Sequence, residues 1–302
     1  MASALSYAAS DGWLAFEAPA KINLYLGVYT EKDERGYHRV DSVMTAVDIS
    51  DKVFVRPAKD LSVSCDPSAH VPQEKNTCWK AAQAFASMFS YDASVEIHIE
   101  KHIPSQAGLG GASADAAAVL CALCELSGID TADVRVSEVA RQVGADVPFF
   151  LSGKPCYFAG AGDVLAEEFA ALDALPVVLV RPPGHGVSTP AAYADFDRCP
   201  VEAGSLDKML SALRAGDTDK MVCAVTNNLG PVACRLHEGC AQVLKWLSNQ
   251  DHALVAQVSG SGSCVFALCD NSDNATRIAQ AAQIYGWWSC ATKVRDHGIC
   301  CI

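Results

Sequence analysis

The chain has 302 residues, of which half are hydrophobic, so it is long enough for one large domain or two of ordinary size. Its formal net charge of -12 argues against nucleic acid or an anionic membrane as the main partner, although basic groups in one pocket can still bind phosphates. No apolar run approaches the roughly 20 residues that span a membrane. Residues 1–12 lack the basic flank of a secretory signal.

The fourteen cysteines do not form the pattern of a metal site or of a disulfide-rich fold. Cys121 and Cys124 lie in an Ala/Leu-rich helical stretch, and no second pair of cysteines or histidines stands at zinc-finger spacing. Reduced thiols in the core are therefore expected, and with them a cytoplasmic location. A monomer or weak homodimer that acts on a small molecule is expected.

The first half of the chain predicts strands and helices in mixed order. Strands are expected at residues 13–29, 53–55, 61–63 and 95–99. Helices are expected at residues 76–89, at residues 116–126 with an end near Gly128, and at residues 137–143, where Gly144 stops the helix.

The second half repeats this mixture. Strands are predicted at residues 177–180, 253–258, 264–268 and 289–294. Helices are predicted at residues 206–215, 232–247 and 275–285. Because strands and helices do not alternate strictly, an α+β fold is favoured over a doubly wound sheet. We expect two domains, residues 1–155 and 156–302, with a cleft between them.

The strongest local signal is the segment from Pro104 to Asp115, which reads PSQAGLGGASAD and joins a predicted strand to a predicted helix. Glycines allow a close approach of the backbone, and the first turn of a helix favours an anion. The segment is not a Walker A loop, and Ser113 stands where a dinucleotide fingerprint has glycine. Phosphate binding is favoured; the alternative is a flexible connection with Ser113 as the N-cap.

Three further signals are ambiguous when each is taken alone. Asp146 either caps the next helix, with Pro148 in its first turn, or accepts a proton from a hydroxyl group. Lys21, between apolar strand residues, either faces solvent or is paired in a site. Residues 259–263 read SGSGS, which is typical of a hairpin turn.

Together these four signals, in this order over nearly the whole chain, resemble the GHMP kinase superfamily of galactose, homoserine, mevalonate and phosphomevalonate kinases. Three segments are more specific: PAKINL from Pro19, GYH from Gly36 and GADVPF from Gly144. Within the superfamily they are similar to kinases that act on a cytidine-diphosphate-linked sugar alcohol in isoprenoid synthesis. The resemblance implies a ribosomal-S5-like N-terminal domain that binds ATP and a ferredoxin-like C-terminal domain that binds substrate, with the active site between them.

The resemblance also implies a reaction and residue roles. ATP, with Mg²⁺, would phosphorylate the 2-hydroxyl of a methylerythritol moiety, with Asp146 as base and Lys21 as the partner that holds it. ATP phosphates would lie on the loop that includes Pro104, Ala107, Gly108, Leu109, Gly110, Gly111, Ala112 and Ser113. The adenosine pocket would include Asn76 and Lys101. The substrate side would include Asn23, Tyr37, His38, Asp146 and Tyr193, with the two tyrosines on either side of the cytosine ring.

The chain departs from the family pattern at four positions outside the Lys21–Asp146 pair. Arg35 stands where the family usually has Asp, and Asn228 replaces a common Asp. Ala107 and Ala112 replace frequent glycines in the loop. The change at Arg35 is expected to alter how the loop before Tyr37 folds over the substrate.

Two other functions stay open at this point. A mevalonate- or homoserine-type kinase would not need the aromatic and histidine side chains of the GYH segment. A non-catalytic binding module on the same fold would not need both Lys21 and Asp146. No carboxylate cluster typical of a metal site stands out, so the sequence names no magnesium ligand.

Overall fold

The computed structural model describes residues 12–68, 71–172 and 174–302. Its strands are β1 (Leu14–Lys32), β2 (His38–Pro57), β3 (Ser62–Asp66), β4 (Val95–Glu100), β5 (Cys156–Ala159), β6 (Val164–Glu168), β7 (Pro176–Arg181), β8 (Thr226–Asn227), β9 (Ala253–Val258), β10 (Val265–Cys269), β11 (Trp288–Arg295) and β12 (Cys300–Cys301). Its helices are α1 (Thr77–Phe89), α2 (Gly111–Ser127), α3 (Val134–Val143), α4 (Val147–Ser152), α5 (Thr189–Arg198), α6 (Leu206–Ala215), α7 (Thr218–Ala224), α8 (Gly230–Leu236), α9 (Glu238–Leu247) and α10 (Ser272–Gln283).

Two long antiparallel strands, β1 and β2, organise the sheet. Along its length β2 pairs in turn with β5, β11 and β4, so it contacts strands from both halves of the chain. The main path of the sheet runs β12-β1-β2-β11-β7-β10-β9. The expected α+β fold is confirmed, whereas the division into residues 1–155 and 156–302 stays a prediction.

The strand predicted at residues 53–55 is wrong as a separate element, because these residues are the last part of β2. The beginning of β2 has Asp41, Ser42 and Thr45 among its apolar residues, which hides the strand pattern. These three polar side chains are buried in the structure. The apparent break in the strand pattern therefore comes from polar residues that are buried within β2.

The first core lies between the helices α1 to α4 and one face of β1, β2 and β4. Helix α1 begins where the sequence predicted, since the Asn76 side chain accepts the Cys78 N–H and caps it. In β4 the residues alternate between buried and half-buried, which confirms a half-buried strand. The Ala-rich α2 brings many small buried side chains against α1 and β1, so the backbones approach closely.

The second half packs α9 and α10 against β7 and β10, and α8 against β9 and α9, around another apolar core. Helix α6 and strand β9 have the predicted bounds. The single helix predicted at residues 232–247 is wrong, because the chain leaves helical geometry at His237 and begins α9 there. His237 caps α9 by accepting the Cys240 N–H at its side chain, which a periodicity argument does not detect. Within the described ranges, no helix combines the length and apolar character needed to cross a membrane.

Candidate active site

A cavity of about 740 Å³ is lined by residues from all four of the motifs that lie far apart in the sequence. Its lining includes Lys21 and Asn23 from β1, Asp146 at the start of α4 and Tyr193 from α5. The glycine-rich loop and residues 260–262 close another side. Chemistry-bearing residues from both halves of the chain therefore face one space.

Lys21 and Asp146 meet inside this cavity, with 3.5 Å between Lys21 Nζ and Asp146 Oδ2. Lys21 is almost completely buried, whereas the Asp146 side chain is 36% exposed. The pairing of β1 with β2 shifts register between Pro19 and Ala20 and again between Asn23 and Tyr25. Such irregularities redirect side chains and occur next to active sites, and here they flank the stretch that carries Lys21.

Asp146 occupies the N-cap position of α4, but its side chain accepts no capping hydrogen bond. Its backbone is helical, with φ of -82°, and Pro148 stands in the first turn of α4 as the sequence predicted. The capping explanation for this aspartate is therefore wrong. The carboxylate instead faces Lys21 and the open cavity, where it can accept a proton.

Asn23 connects the three segments around this pair. Its Oδ1 accepts hydrogen bonds from Lys21 Nζ at 2.7 Å and from the Gly260 N–H at 2.9 Å. Its Nδ2 donates to Ser42 Oγ on β2 at 2.9 Å. Since each bond joins a different segment, Asn23 fixes the position of the Lys21 ammonium group relative to the 259–263 turn.

The glycine-rich loop packs tightly against that turn. Gly108 has a φ of +75°, and a Cβ added there would lie 2.0 Å from the Ser259 carbonyl oxygen. Ser259 Oγ donates to the Gly108 carbonyl, and the Cys264 N–H donates to the Ala107 carbonyl. The SGSGS segment is a hairpin turn between β9 and β10, as predicted, and it also supports the loop.

Helix α2 begins directly at the end of this loop. Its N-cap is Gly110, with φ of +74°, so the alternative in which Ser113 is the N-cap is wrong. Ser113 lies in the first turn instead and lines the cavity. The cavity lining contains every loop residue assigned to phosphate binding: Pro104, Ala107, Gly108, Leu109, Gly110, Gly111, Ala112 and Ser113. The Ser113 and Ala114 N–H groups donate to the Gly110 carbonyl, so the N–H groups of Gly111 and Ala112 are the ones that can bind an anion here.

Asn76 and Lys101 line the cavity beyond the loop. The Lys101 ammonium group is not free for a phosphate, because it contacts the carboxylates of Asp51 and Asp115, the latter at 2.6 Å. Burial opposes its charge, but the Asp115 and Asp51 carboxylates outweigh burial and raise the Lys101 pKa. Burial raises the pKa of the Asp115 carboxyl, although Lys101 at 2.6 Å favours its ionised form. Lys101 thus forms part of a buried charged wall.

The substrate side is only partly assembled. Tyr193 lines the cavity, and its ring centroid lies 5.2 Å from that of His38. Burial raises the pKa of the Tyr193 hydroxyl to about 12, with a further contribution from Asp146. Tyr37 is 60% exposed; it does not line the cavity, and within the described ranges its ring does not contact Tyr193. The sandwich of two tyrosines is not formed in this structure.

Both ring nitrogens of His38 have partners. Nδ1 lies 2.6 Å from the Tyr29 carbonyl oxygen, and Nε2 lies 3.2 Å from Asp197 Oδ1. Asp197 is 41% exposed and also accepts a hydrogen bond from Lys32, so its contact with His38 is the one that a ligand can replace. The role of His38 as a base-reading residue stays a prediction.

Several residues that shape the site had no clear sequence signal. Asp51 accepts the N–H groups of His102 and Ile103, which fixes the turn before the glycine-rich loop. Thr189 and Ser261 pair their hydroxyl groups at 3.0 Å across the cavity lining. The pattern that could have found Asp51 is a polar residue inside an apolar strand, whereas Ser261 belongs to the 259–263 turn that the sequence singled out.

Comparisons with known proteins agree with this geometry. Residues 76–154 match the family described as GHMP kinases N terminal domain, and residues 209–286 match GHMP kinases C terminal. A 4-diphosphocytidyl-2-C-methyl-D-erythritol kinase from Salinibacter ruber is 36% identical over 274 residues, covering 89% of this chain and 94% of the relative. The enzyme of that name from Desulfitobacterium hafniense is 37% identical over 268 residues, covering 87% and 89%.

Solved structures lead to the same superfamily. A crystal structure of 4-(cytidine 5'-diphospho)-2C-methyl-D-erythritol kinase has a TM-score of 0.73 at 31% identity, covering 93% of this chain and 98% of that one. Homoserine kinase from Cytophaga hutchinsonii has a TM-score of 0.74 at 20% identity, covering 99% and 100%, and so shares the fold. The chain belongs to the GHMP kinases, in the family of the 4-diphosphocytidyl-2-C-methyl-D-erythritol kinases.

Proposed function

We propose that this protein transfers the γ-phosphoryl group of ATP to the 2-hydroxyl of 4-(cytidine 5'-diphospho)-2-C-methyl-D-erythritol, a step of the methylerythritol phosphate route to isoprenoid precursors. The observation that carries the proposal is the Lys21–Asp146 contact of 3.5 Å beside the glycine-rich loop in one cavity. The relatives of the same name, which align over most of the chain, support the choice of substrate.

In the proposed reaction Asp146 accepts the proton of the attacking hydroxyl group. Lys21, held by Asn23, pairs with the carboxylate and polarises that hydroxyl. Phosphoryl transfer has a loose transition state, so positioning and charge stabilisation contribute more than the strength of the base. A carboxylate in a fixed position is therefore sufficient.

ATP is assigned to the glycine-rich loop, with its phosphates on the first turn of α2 and its adenosine towards Asn76 and Lys101. Mg²⁺ would come with the nucleotide and neutralise charge on its phosphates. Kinase sites hold this ion through one or two carboxylates plus the phosphates, and Asp146 and Ser113 are oxygen donors in the cavity lining that suit it. Within the described ranges, no group of three His, Cys, Asp or Glu side chains is placed to hold a metal without a nucleotide.

The test is an ATP-consumption assay with the cytidine-diphosphate substrate, mevalonate, homoserine and galactose. We expect turnover with the cytidine compound alone. Turnover with mevalonate or homoserine instead would establish a different kinase of the superfamily, and no turnover with any of them would favour a non-catalytic module. A cytoplasmic location, a monomer or weak homodimer, and domains of residues 1–155 and 156–302 are part of this proposal.

We further expect the enzyme to distinguish cytidine from uridine in its substrate. The methylerythritol end offers hydroxyls that many polyols share, so the base is the distinctive part. Stacking on an aromatic side chain contributes about 1–3 kcal/mol per base, and an unpaired polar edge costs about 1–3 kcal/mol. The cytidine form should have a kcat/KM about tenfold higher or more, which corresponds to about 1.4 kcal/mol.

The same measurement in His38→Ala tests the residue. If the cytosine base replaces Asp197 as the partner of His38, the ratio of the kcat/KM values for the cytidine and uridine forms should fall towards one in the variant. Equal kcat/KM values for both bases in the wild type would refute base reading. An unchanged preference in His38→Ala would remove His38 from this role.

A further inference from the structure

The turn from Asp33 to Tyr37 is built around one carboxylate. Asp33 Oδ1 accepts the N–H groups of Arg35 at 3.0 Å and of Tyr37 at 2.9 Å. The Asp33 N–H donates to the Tyr37 carbonyl, and Gly36 takes a positive φ of +83° to complete the turn. The backbone before His38 is thus ordered from within the turn.

Arg35 adds side-chain contacts to this turn, with Asp33 and with the Tyr37 ring. Its Nε and Nη2 atoms bind Asp33 Oδ2 at 2.8 and 2.7 Å, in a forked arrangement that fixes the guanidinium plane. Its guanidinium carbon lies 5.2 Å from the centroid of the Tyr37 ring, within the range of a cation–π contact. The ring is 60% exposed, so this contact restrains a side chain that otherwise largely faces solvent.

The remaining Arg35 nitrogen, Nη1, reaches 3.5 Å from Asp163 Oδ2. Asp163 is buried, and its other partners are Arg141, at 3.0 Å, and the Ala161 N–H. Burial opposes the charge of Asp163, but Arg141 lowers its pKa, so it stays ionised. Ala161 and Gly162 line the cavity. Arg35 therefore joins the turn that carries Tyr37 to a wall of the active site.

We propose that Arg35 is a positioning residue that holds the Tyr37 ring on a turn beside the cavity wall, from where the ring can turn onto the cytosine base. The inference rests on the proposed function. It gives a role to the cation at position 35, where the resemblance implies Asp, a side chain that could not contact the ring in this way. Exposed ion pairs add little stability. Arg35 therefore affects how well the Tyr37 ring is ordered, and not whether the chain folds.

The test uses the full-length enzyme with Arg35→Met, Arg35→Lys, Tyr37→Leu and the double variant Arg35→Met/Tyr37→Leu. In Arg35→Met the KM for the cytidine substrate should rise about fivefold or more, because an unrestrained side chain must be ordered on binding. The KM for ATP and kcat should change by less than about twofold, and Arg35→Lys should restore part of the lost affinity. Arg135→Met is the matched control, since Arg135 likewise pairs with an aspartate two residues earlier and lies over an aromatic ring, that of Phe89, outside the cavity lining.

The double variant shows whether Arg35 acts through Tyr37. If it does, adding Arg35→Met to Tyr37→Leu should raise the KM no further. Additive effects, or an unchanged KM for the cytidine substrate in Arg35→Met, would overturn the inference while the proposed function stands. Absence of wild-type turnover with that substrate would refute the proposed function itself.

Discussion

Asp146→Asn should lower kcat by at least about two orders of magnitude, the scale of a positioned general base. The amide has the size of the carboxylate but cannot accept the hydroxyl proton, and it removes the negative charge 3.5 Å from Lys21 Nζ. Folding should be unaffected, because the Asp146 side chain makes no capping bond and is 36% exposed. Steady-state turnover with saturating ATP and substrate measures the first effect, and thermal unfolding measures the second.

Asp133→Asn is the matched control for this substitution. Asp133 also stands at a helix N-cap, that of α3, but its side chain does cap the helix, which asparagine can do equally well. The kcat of the Asp133→Asn variant should equal that of the wild type. If Asp146→Asn retained more than about a tenth of wild-type turnover, Asp146 would not be the base and Lys21 alone would have to organise the hydroxyl.

Gly108→Ala should weaken ATP binding by about tenfold or more, or about 1.4 kcal/mol. A left-handed backbone costs an alanine about 1–2 kcal/mol. In addition, its Cβ would lie 2.0 Å from the Ser259 carbonyl oxygen. Because a Cβ and a carbonyl oxygen cannot lie this close together, the loop must move away from the 259–263 turn. The phosphate-binding N–H groups then move with the loop.

Gly128→Ala separates the cost of the left-handed backbone from the cost of the steric overlap. Gly128 has a similar φ of +70°, but a Cβ there would meet nothing within 4 Å, so only the backbone strain is introduced. This variant should lose stability without losing ATP affinity. Hydrogen exchange of residues 108–113 gives an independent measurement: a non-hydrolysable ATP analogue should slow it in the wild type and in Gly128→Ala, and much less in Gly108→Ala. If the substrate alone slowed exchange there and the analogue did not, the ATP assignment would be reversed.

The local pattern of the chain was sufficient for many elements. Helix α6 and strand β9 follow directly from hydrophobic spacing and end signals, and β4 alternates as its residues indicate. Errors arose where side-chain chemistry interrupts a pattern. At His237 a capping side chain splits one apparent helix into two, and at the start of β2 buried polar residues interrupt the apolar run.

For the site, the sequence by itself determined which residue types were available and, through their order, the family they resemble. Only the tertiary structure decided which of them act together. Lys21 and Asp146 are 125 positions apart in the chain, and each has an ordinary structural explanation when read alone. Their contact exists because β1, α4 and the 259–263 turn converge on one cavity, and convergence of this kind depends on long-range packing that no local pattern encodes. For the same reason the sequence does not reveal the ion pairs of Lys101 or the separation of Tyr37 from the cavity lining, because both depend on how distant strands and turns pack.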